Sequence, residues 1–243
     1  MPAGWQAIGA LGTGNFDSPK TVTPYQFRVP IGGTGSNVTR NVTADANLPS
    51  SSLSGAWVNS RVNPGFPEAC GVKIAMVFDT SASINSAEMT AFKTAAGNFV
   101  GNTALGGTPS RVSMFRFDTT AQTMNGGASY DLAIPGSAGS NTGYLGAQNQ
   151  ITTGLPSAGS SGGYTNWDSA LRLVGSSGPF DMVLMLTDGD PTTYGSGTTT
   201  NTNVQFRMVE QAVMSANAVK AQTGPSGANT KVVGVGVGLS TNS

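Results

Sequence analysis

Residues 72–83 read VKIAMVFDTSAS, an apolar run of strand length that leads into an acid and two serines. A run this continuous is typical of a strand that is covered on both faces, as in a parallel sheet. A second run, MVLML at residues 182–186, leads into the letters TDG. We therefore predict two central strands whose carboxyl ends place Asp79 and Asp188 at the same edge of one sheet.

The rest of this region alternates between helical and strand patterns. Apolar residues recur at helical spacing in four segments, at residues 86–100, 144–151, 166–174 and 204–222. Further strand-like runs occupy three segments, at residues 111–117, 121–124 and 231–237. Ser86 is the expected N-cap of the first helix. The alternation predicts an α/β fold in which a doubly wound, mostly parallel sheet is flanked by helices.

Two domains are predicted, with a boundary near Cys70. Residues 1–70 contain short alternating runs broken by Pro and Gly, which indicates an extended or β-rich segment. Residues 71–243 carry the α/β pattern, but a closing strand and helix are missing, so the domain is cut short or its sheet is small. Cys70 is the only cysteine, and we expect either a partner outside this excerpt or a buried free thiol.

The composition excludes several functions and favours an exported protein. The 243 residues include 12 Lys and Arg, 12 Asp and Glu and no His, and only 10% are charged. Without a basic surface, nucleic-acid binding is not expected. Without His, the common catalytic triads and zinc sites are excluded. No apolar run reaches the 18 residues of a membrane span. The many Gly, Ser and Thr residues suggest a secreted or cell-surface location.

The serines after the first strand suggest a metal site. In an extended loop, alternate residues face the same way, so Asp79, Ser81 and Ser83 can share one small volume, which Asp188 is expected to reach from the second strand. Hydroxyl and carboxylate oxygens suit a hard cation, Mg²⁺ first, with Mn²⁺ or Ca²⁺ as alternatives. Because hydroxyls are neutral, such an ion would keep its positive charge and an open coordination position. It would therefore attract an acidic group of a partner.

This sequence resembles the von Willebrand factor A domains that carry a metal-ion-dependent adhesion site. The resemblance covers residues 72–239 and rests on three motifs: DTSAS from Asp79, the loop GYTNWDSAL around Thr165, and TDG around Asp188. It implies that Ser81 and Ser83 bind the metal directly and that Thr165 does so when a ligand is engaged. Asp79 and Asp188 would act through water. The open position would take a Glu or Asp carboxylate from a protein partner.

A second resemblance concerns location. Residues 60–71 and the low-charge, Thr- and Gly-rich composition are similar to surface proteins and pilus-tip adhesins of Gram-positive bacteria, particularly actinobacteria. This resemblance implies an extracellular position on a bacterial cell surface or pilus. The partner would then be a host surface or matrix protein, and pilus or cell-wall proteins are further partners to expect.

Two other functions fit parts of the pattern. In a haloacid-dehalogenase-like phosphatase, Asp79 would be the nucleophile and Thr187 would bind phosphate. Against that reading, Ser81 stands where such enzymes place a second Asp, and a suitable later Lys and acidic pair is missing. The other alternative is a structural pilin subunit with a vestigial site. We favour an adhesion module that is not an enzyme.

Overall fold

The computed structural model describes residues 71–101, 104–160, 163–197 and 206–237, and elsewhere only the backbone of four strands. Three of those strands form an antiparallel sheet in the order β1–β2–β3: β1 (Gln6–Ile8), β2 (Tyr25–Pro30) and β3 (Asn37–Val42). Cys70 lies outside the described residues, as does the chain after residue 237. The domain boundary near residue 70 and the shortened end therefore stay predictions.

The elements from residue 73 onwards include all the predicted helices and strands and, in addition, three short strands at residues 130–131, 193–194 and 199–200. In chain order they are β4 (Lys73–Asp79), α1 (Ser86–Val100), β5 (Arg111–Phe117), β6 (Ala121–Thr123), β7 (Tyr130–Asp131), α2 (Gly143–Gly154), α3 (Trp167–Ser176), β8 (Met182–Thr187), β9 (Thr193–Tyr194), β10 (Thr199–Thr200), α4 (Phe206–Lys220) and β11 (Lys231–Gly236). Within the described part of the chain, none of these helices has the length and apolarity needed to cross a membrane.

Six of these strands form one sheet, ordered β11–β8–β4–β5–β6, with β7 also paired to β5. The four strands from β11 to β5 are parallel to their neighbours, and the short β6 and β7 are antiparallel to β5. The strands β9 and β10 form a separate antiparallel pair. The prediction of an α/β fold with a mostly parallel sheet flanked by helices is confirmed.

The hydrophobic core has two layers because side chains alternate along the central strand β4. Ile74, Met76 and Phe78 point to one face, where they pack with residues of α1 and α2. Ala75 and Val77 point to the other face, where they pack with residues of α3 and α4. Six of the seven residues of β4 are buried, as the continuous apolar run predicted.

The N-cap of α1 differs from the prediction. Asn85, not Ser86, occupies this position: its side-chain oxygen accepts hydrogen bonds from the backbone N–H groups of Ala87, at 2.9 Å, and Glu88, at 3.0 Å. The Glu88 carboxylate in turn accepts a bond of 2.9 Å from the Asn85 N–H. The Ser86 prediction was wrong because this reciprocal capping box places the cap three residues before Glu88.

Replacing Asn85 by Ala should therefore lower the free energy of unfolding by about 1 kcal/mol, because two N–H groups of the first turn lose their acceptor. The Ser86→Ala variant is the matched control and should change stability by less than about 0.5 kcal/mol, as expected for a surface substitution. Urea unfolding of both variants measures the difference. Equal losses in the two variants would contradict this assignment of the cap.

Candidate functional site

The two strand-end acids meet because their strands are parallel neighbours. Strands β4 and β8 pair in parallel register, with Phe78 opposite Leu186. Asp79 is the last residue of β4, and Asp188 directly follows the end of β8. Both carboxylates therefore lie at the carboxyl edge of the sheet, where α/β folds bind ligands.

Asp79 is buried and held by two hydrogen bonds. One carboxylate oxygen accepts from the Ser81 backbone N–H at 2.9 Å, and the other accepts from the Thr187 hydroxyl at 2.6 Å. Burial raises the pKa of this carboxyl from 3.8 to about 6, although the bonds from Ser81 and Thr187 act in the opposite direction. Burial therefore makes this acid costly to ionise.

The remaining predicted site residues form a continuous chain of oxygens. The Thr165 hydroxyl donates to the Ser81 hydroxyl at 3.0 Å, and the Ser81 and Ser83 hydroxyl oxygens are 3.1 Å apart. The Ser83 hydroxyl then donates to an Asp188 carboxylate oxygen at 2.9 Å. The structure thus brings together all five residues that the sequence singled out, although Thr165 is 84 positions from Ser81 and Asp188 is 105 positions from Ser83.

This cluster has a closed side and an open side. Asp79, Ser81 and Thr165 are buried, with 0, 1 and 4% of their surfaces exposed, whereas Ser83 is exposed and Asp188 is partly exposed. Partial burial raises the pKa of Asp188, against the effect of the Ser83 hydrogen bond. A molecule that approaches from solvent would therefore reach Ser83 and Asp188 first.

Thr165 is held in place by the segment after β8. Its N–H donates to the Thr192 hydroxyl at 2.9 Å, and its carbonyl accepts from the N–H groups of Thr192, at 2.9 Å, and Thr193, at 3.2 Å. The next residue, Asn166, caps α3 through Ser169 and donates its side-chain amide to the Thr119 carbonyl at 2.8 Å. These contacts fix the Thr165 hydroxyl beside Ser81.

A second buried acid, Asp168, contacts the same segment after β8. Asp168, which is 3% exposed, accepts from the Gly195 N–H at 2.8 Å and from the Ser215 hydroxyl of α4 at 2.5 Å. Arg172, one turn further along α3, lies 3.2 Å from the same carboxylate. Asp168 thus connects α3, α4 and the loop that holds Thr165.

The loop of Ser81 and Ser83 is supported by backbone contacts. The Thr80 N–H donates to the Phe117 carbonyl at 2.7 Å, and the Thr80 carbonyl accepts from the Ser160 N–H at 2.8 Å. Gly159 lies so close that a Cβ there would be 1.8 Å from the Ser81 carbonyl oxygen. A side chain at Gly159 would therefore displace this loop.

The oxygens of the cluster fit a small hard cation. Mg²⁺ binds oxygens at 2.0–2.1 Å in an octahedron, so adjacent ligands lie about 2.9 Å apart. The two spacings between the hydroxyl oxygens that would be ligands, 3.0 Å from Thr165 to Ser81 and 3.1 Å from Ser81 to Ser83, are close to that distance. Among the described residues, no group of three or more His, Cys, Asp or Glu side chains could hold a metal. A cation here would therefore depend on hydroxyls.

Sequence reasoning did not find the supporting residues. Asp168 carried a signal, because an acid three positions before Leu171 falls on the apolar face of α3. No sequence signal marked Thr192, Thr193 or Ser215. Thr and Ser are frequent throughout this chain, and the contacts of these three residues arise only from the fold.

No protein-family model matches this sequence, and no curated protein matches it. Solved structures with partial similarity include an aerotolerance-related membrane protein of Bacteroides fragilis, at 18% identity and a TM-score of 0.31 over 50% of this chain. Another is the pilus tip protein Mfa5 of Porphyromonas gingivalis, at 11% identity and a TM-score of 0.38 over 78% of this chain. A third is a D319A mutant of the minor pilin PilB of Streptococcus sanguinis, at 12% identity and a TM-score of 0.40 over 96% of this chain.

The share of each neighbour that is covered differs widely. This chain spans 56% of the Bacteroides protein, 26% of the Mfa5 fragment and 73% of PilB.

Proposed function

We propose that this chain is a metal-dependent adhesion module of the von Willebrand factor A type, which binds an acidic residue of a protein partner. The observation that carries the proposal is the oxygen chain from Thr165 through Ser81 and Ser83 to Asp188, with spacings of 2.9 to 3.1 Å. One fold can serve many functions, so the proposal rests on these groups and not on the fold.

The residues have distinct roles in this proposal. The hydroxyls of Ser81, Ser83 and Thr165 would hold Mg²⁺, and the carboxylates of Asp79 and Asp188 would hold its waters. The cation would supply a positive charge that attracts a carboxylate. Thr187 and the Ser81 N–H keep Asp79 in position, and the exposure of Ser83 leaves a route for the partner.

The proposed location is a bacterial cell surface or pilus, where adhesion modules meet their partners. The chain obtains its polarity from Ser, Thr, Asn and 34 Gly, and only 10% of its residues are charged. The resemblance of residues 60–71 to surface and pilus-tip proteins of Gram-positive bacteria supports the same location. The proposed partner is a protein of a host surface or matrix, or of the pilus or cell wall.

Binding of Mg²⁺ provides the direct test. At about 100 times its dissociation constant, Mg²⁺ should raise the free energy of unfolding by about 2.7 kcal/mol. The double variant Ser81→Ala and Ser83→Ala should keep the fold but lose this stabilisation, and acidic peptides should bind only the wild-type protein with Mg²⁺. Urea unfolding and calorimetry measure both effects. Equal stability of the wild-type protein in Mg²⁺ and in chelator, with no heat of metal binding, would contradict the proposal.

The phosphatase alternative is disfavoured by the position of Asp79. A nucleophile must reach the substrate, but this carboxylate is fully buried and both of its oxygens accept hydrogen bonds. We expect no hydrolysis of a generic phosphate ester above the rate of the Asp79→Ala variant. Turnover that depends on Asp79 would instead favour the enzyme.

A further inference from the structure

A pocket with polar and apolar walls shares one residue, Thr80, with the loop that carries the candidate metal site. It has a volume of about 180 Å³ and is bounded by the end of β5, by β6 and by the loop after α2. One of its walls is Thr80, which stands in the chain between Asp79 and Ser81. A group in this pocket would therefore lie against the loop that carries Ser81 and Ser83.

One side of the pocket offers hydrogen-bond donors. The Arg116 guanidinium donates to the Gln122 side-chain oxygen at 3.0 and 3.3 Å and to the Gly154 carbonyl at 3.4 Å, which leaves two of its five N–H groups. The Gln122 amide nitrogen and the Thr120 hydroxyl make no hydrogen bond to any residue that the structure describes. Donors that face a cavity in this way are available to a ligand.

The lining also offers acceptors. The Asp118 carboxylate accepts from the Thr120 N–H at 3.1 Å and from the Ser160 hydroxyl at 2.9 Å, which leaves lone pairs on both oxygens. Within the described part of the chain, Arg116 and Asp118 form no ion pair with each other. The pocket therefore holds one positive and one negative group that do not neutralise each other by direct contact.

This arrangement selects for an uncharged group. A carboxylate would be attracted by Arg116 but repelled by Asp118. An ammonium group would be attracted by Asp118 but repelled by Arg116. A primary carboxamide carries an acceptor and two donors on one plane, so it can bond to the donors and to the acceptors of the lining without a net charge. The volume equals that of about six waters, which is enough for such a group and its stem.

We propose that this pocket is a specificity subsite that takes the side-chain carboxamide of an Asn or Gln next to the acidic residue of a protein partner. The inference rests on the proposed function, because it assumes a partner carboxylate at the metal site. Arg116 and Gln122 would donate to the carboxamide oxygen, and Asp118 would accept from its nitrogen.

Small fragments test the pocket without the metal. Propionamide, propionate and propylammonium, matched in size, are titrated in metal-free buffer into labelled protein, and the Gln122 and Arg116 side-chain N–H signals are followed by NMR. Propionamide should bind at least about fivefold more tightly than either ion, the contribution of about one hydrogen bond. A charged fragment that binds as tightly, or no saturable shift with any fragment, would overturn the proposal.

Matched variants locate the response. Gln122→Ala and Arg116→Met should each weaken propionamide binding by about fivefold. Arg111→Met is the control. This substitution removes the same charge from the opposite end of the same strand, and it should leave propionamide binding unchanged. Gln122 is exposed, so its variant is expected to fold even if loss of Arg116 disturbs the strand. Binding that survives both variants would place the fragment elsewhere and overturn the proposal.

Peptides then connect the pocket to the metal site. A pool of blocked tripeptides with a central Asp is bound to the wild-type protein in Mg²⁺, and we expect enrichment of Asn or Gln at one flanking position. Acidic peptides that bind through Mg²⁺ without this preference would overturn the subsite. If no peptide depends on Mg²⁺, the proposed function fails, and the fragment series still decides whether the pocket binds a carboxamide.

Discussion

Replacing Asp168 by Ala should lower the free energy of unfolding by about 3 kcal/mol, because it leaves buried hydrogen-bond donors without an acceptor. The Ser215 hydroxyl and the Gly195 N–H both donate to this carboxylate, which is 3% exposed. Arg172 adds little to the loss, because its side chain is 56% exposed and regains water. The change therefore removes a polar connection from α3 to α4 and to the loop after β8, while the apolar packing of α3 and α4 stays.

Asp131→Ala is the matched control for this prediction. Asp131 also faces an arginine, Arg111 at 3.5 Å, but both side chains are largely exposed, at 42 and 61%. Its removal should cost less than about 1 kcal/mol. Urea unfolding in metal-free buffer compares the two variants. Similar losses at both positions would show that Asp168 is not the connection that its contacts suggest.

The stability of the metal-free protein should fall by about 2.4 kcal/mol as the pH rises from 4 to 7, because of Asp79. Its pKa is about 6 in the fold against an ordinary value of 3.8, so between these values the folded protein keeps a proton that the unfolded chain releases. The side chain's contribution to stability is therefore full below pH 3.8 and is lost as the pH rises through about 6.

The Asp79→Asn variant isolates this effect, because it removes the titrating group and keeps a side chain of the same shape. Urea unfolding at several pH values should show the fall in the wild-type protein and a smaller one in the variant, where Asp188 still contributes in the same direction. Mg²⁺ should reduce the fall in the wild-type protein, because a cation favours the ionised acid. Parallel pH profiles for wild type and variant would contradict the prediction.

Much of the fold could be predicted because its cause is local. The continuous apolar run of β4 indicates a strand that is buried on both faces. The spacing of apolar residues in α1 and α3 indicates that each helix has one buried face. Helix ends were less certain, since caps depend on single hydrogen bonds. The cap at Asn85 could have been found from the Glu88 that follows three residues later.

The candidate site was predictable only in part. The spacing of Asp79, Ser81 and Ser83 is local, and an extended backbone is enough to align them. Asp188 was predicted from the end of a second buried strand, and Thr165 was assigned only through a resemblance between motifs. Their approach to Ser81 and Ser83 depends on the order of strands in the sheet. The contacts of Asp168 and the pocket beside Thr80 followed from no pattern, because each joins segments that are far apart in the chain.

The sequence by itself determined the class of fold, the buried strands and the kinds of atoms at their ends, because hydrophobic periodicity and side-chain chemistry belong to each short segment. Only the tertiary structure decided that β4 lies next to β8, that five distant oxygen-bearing side chains meet at one edge, and that Arg116 faces a cavity with Asp118. The physical reason is that strand order and side-chain contacts result from the packing of the whole core, in which each strand's position depends on all the others.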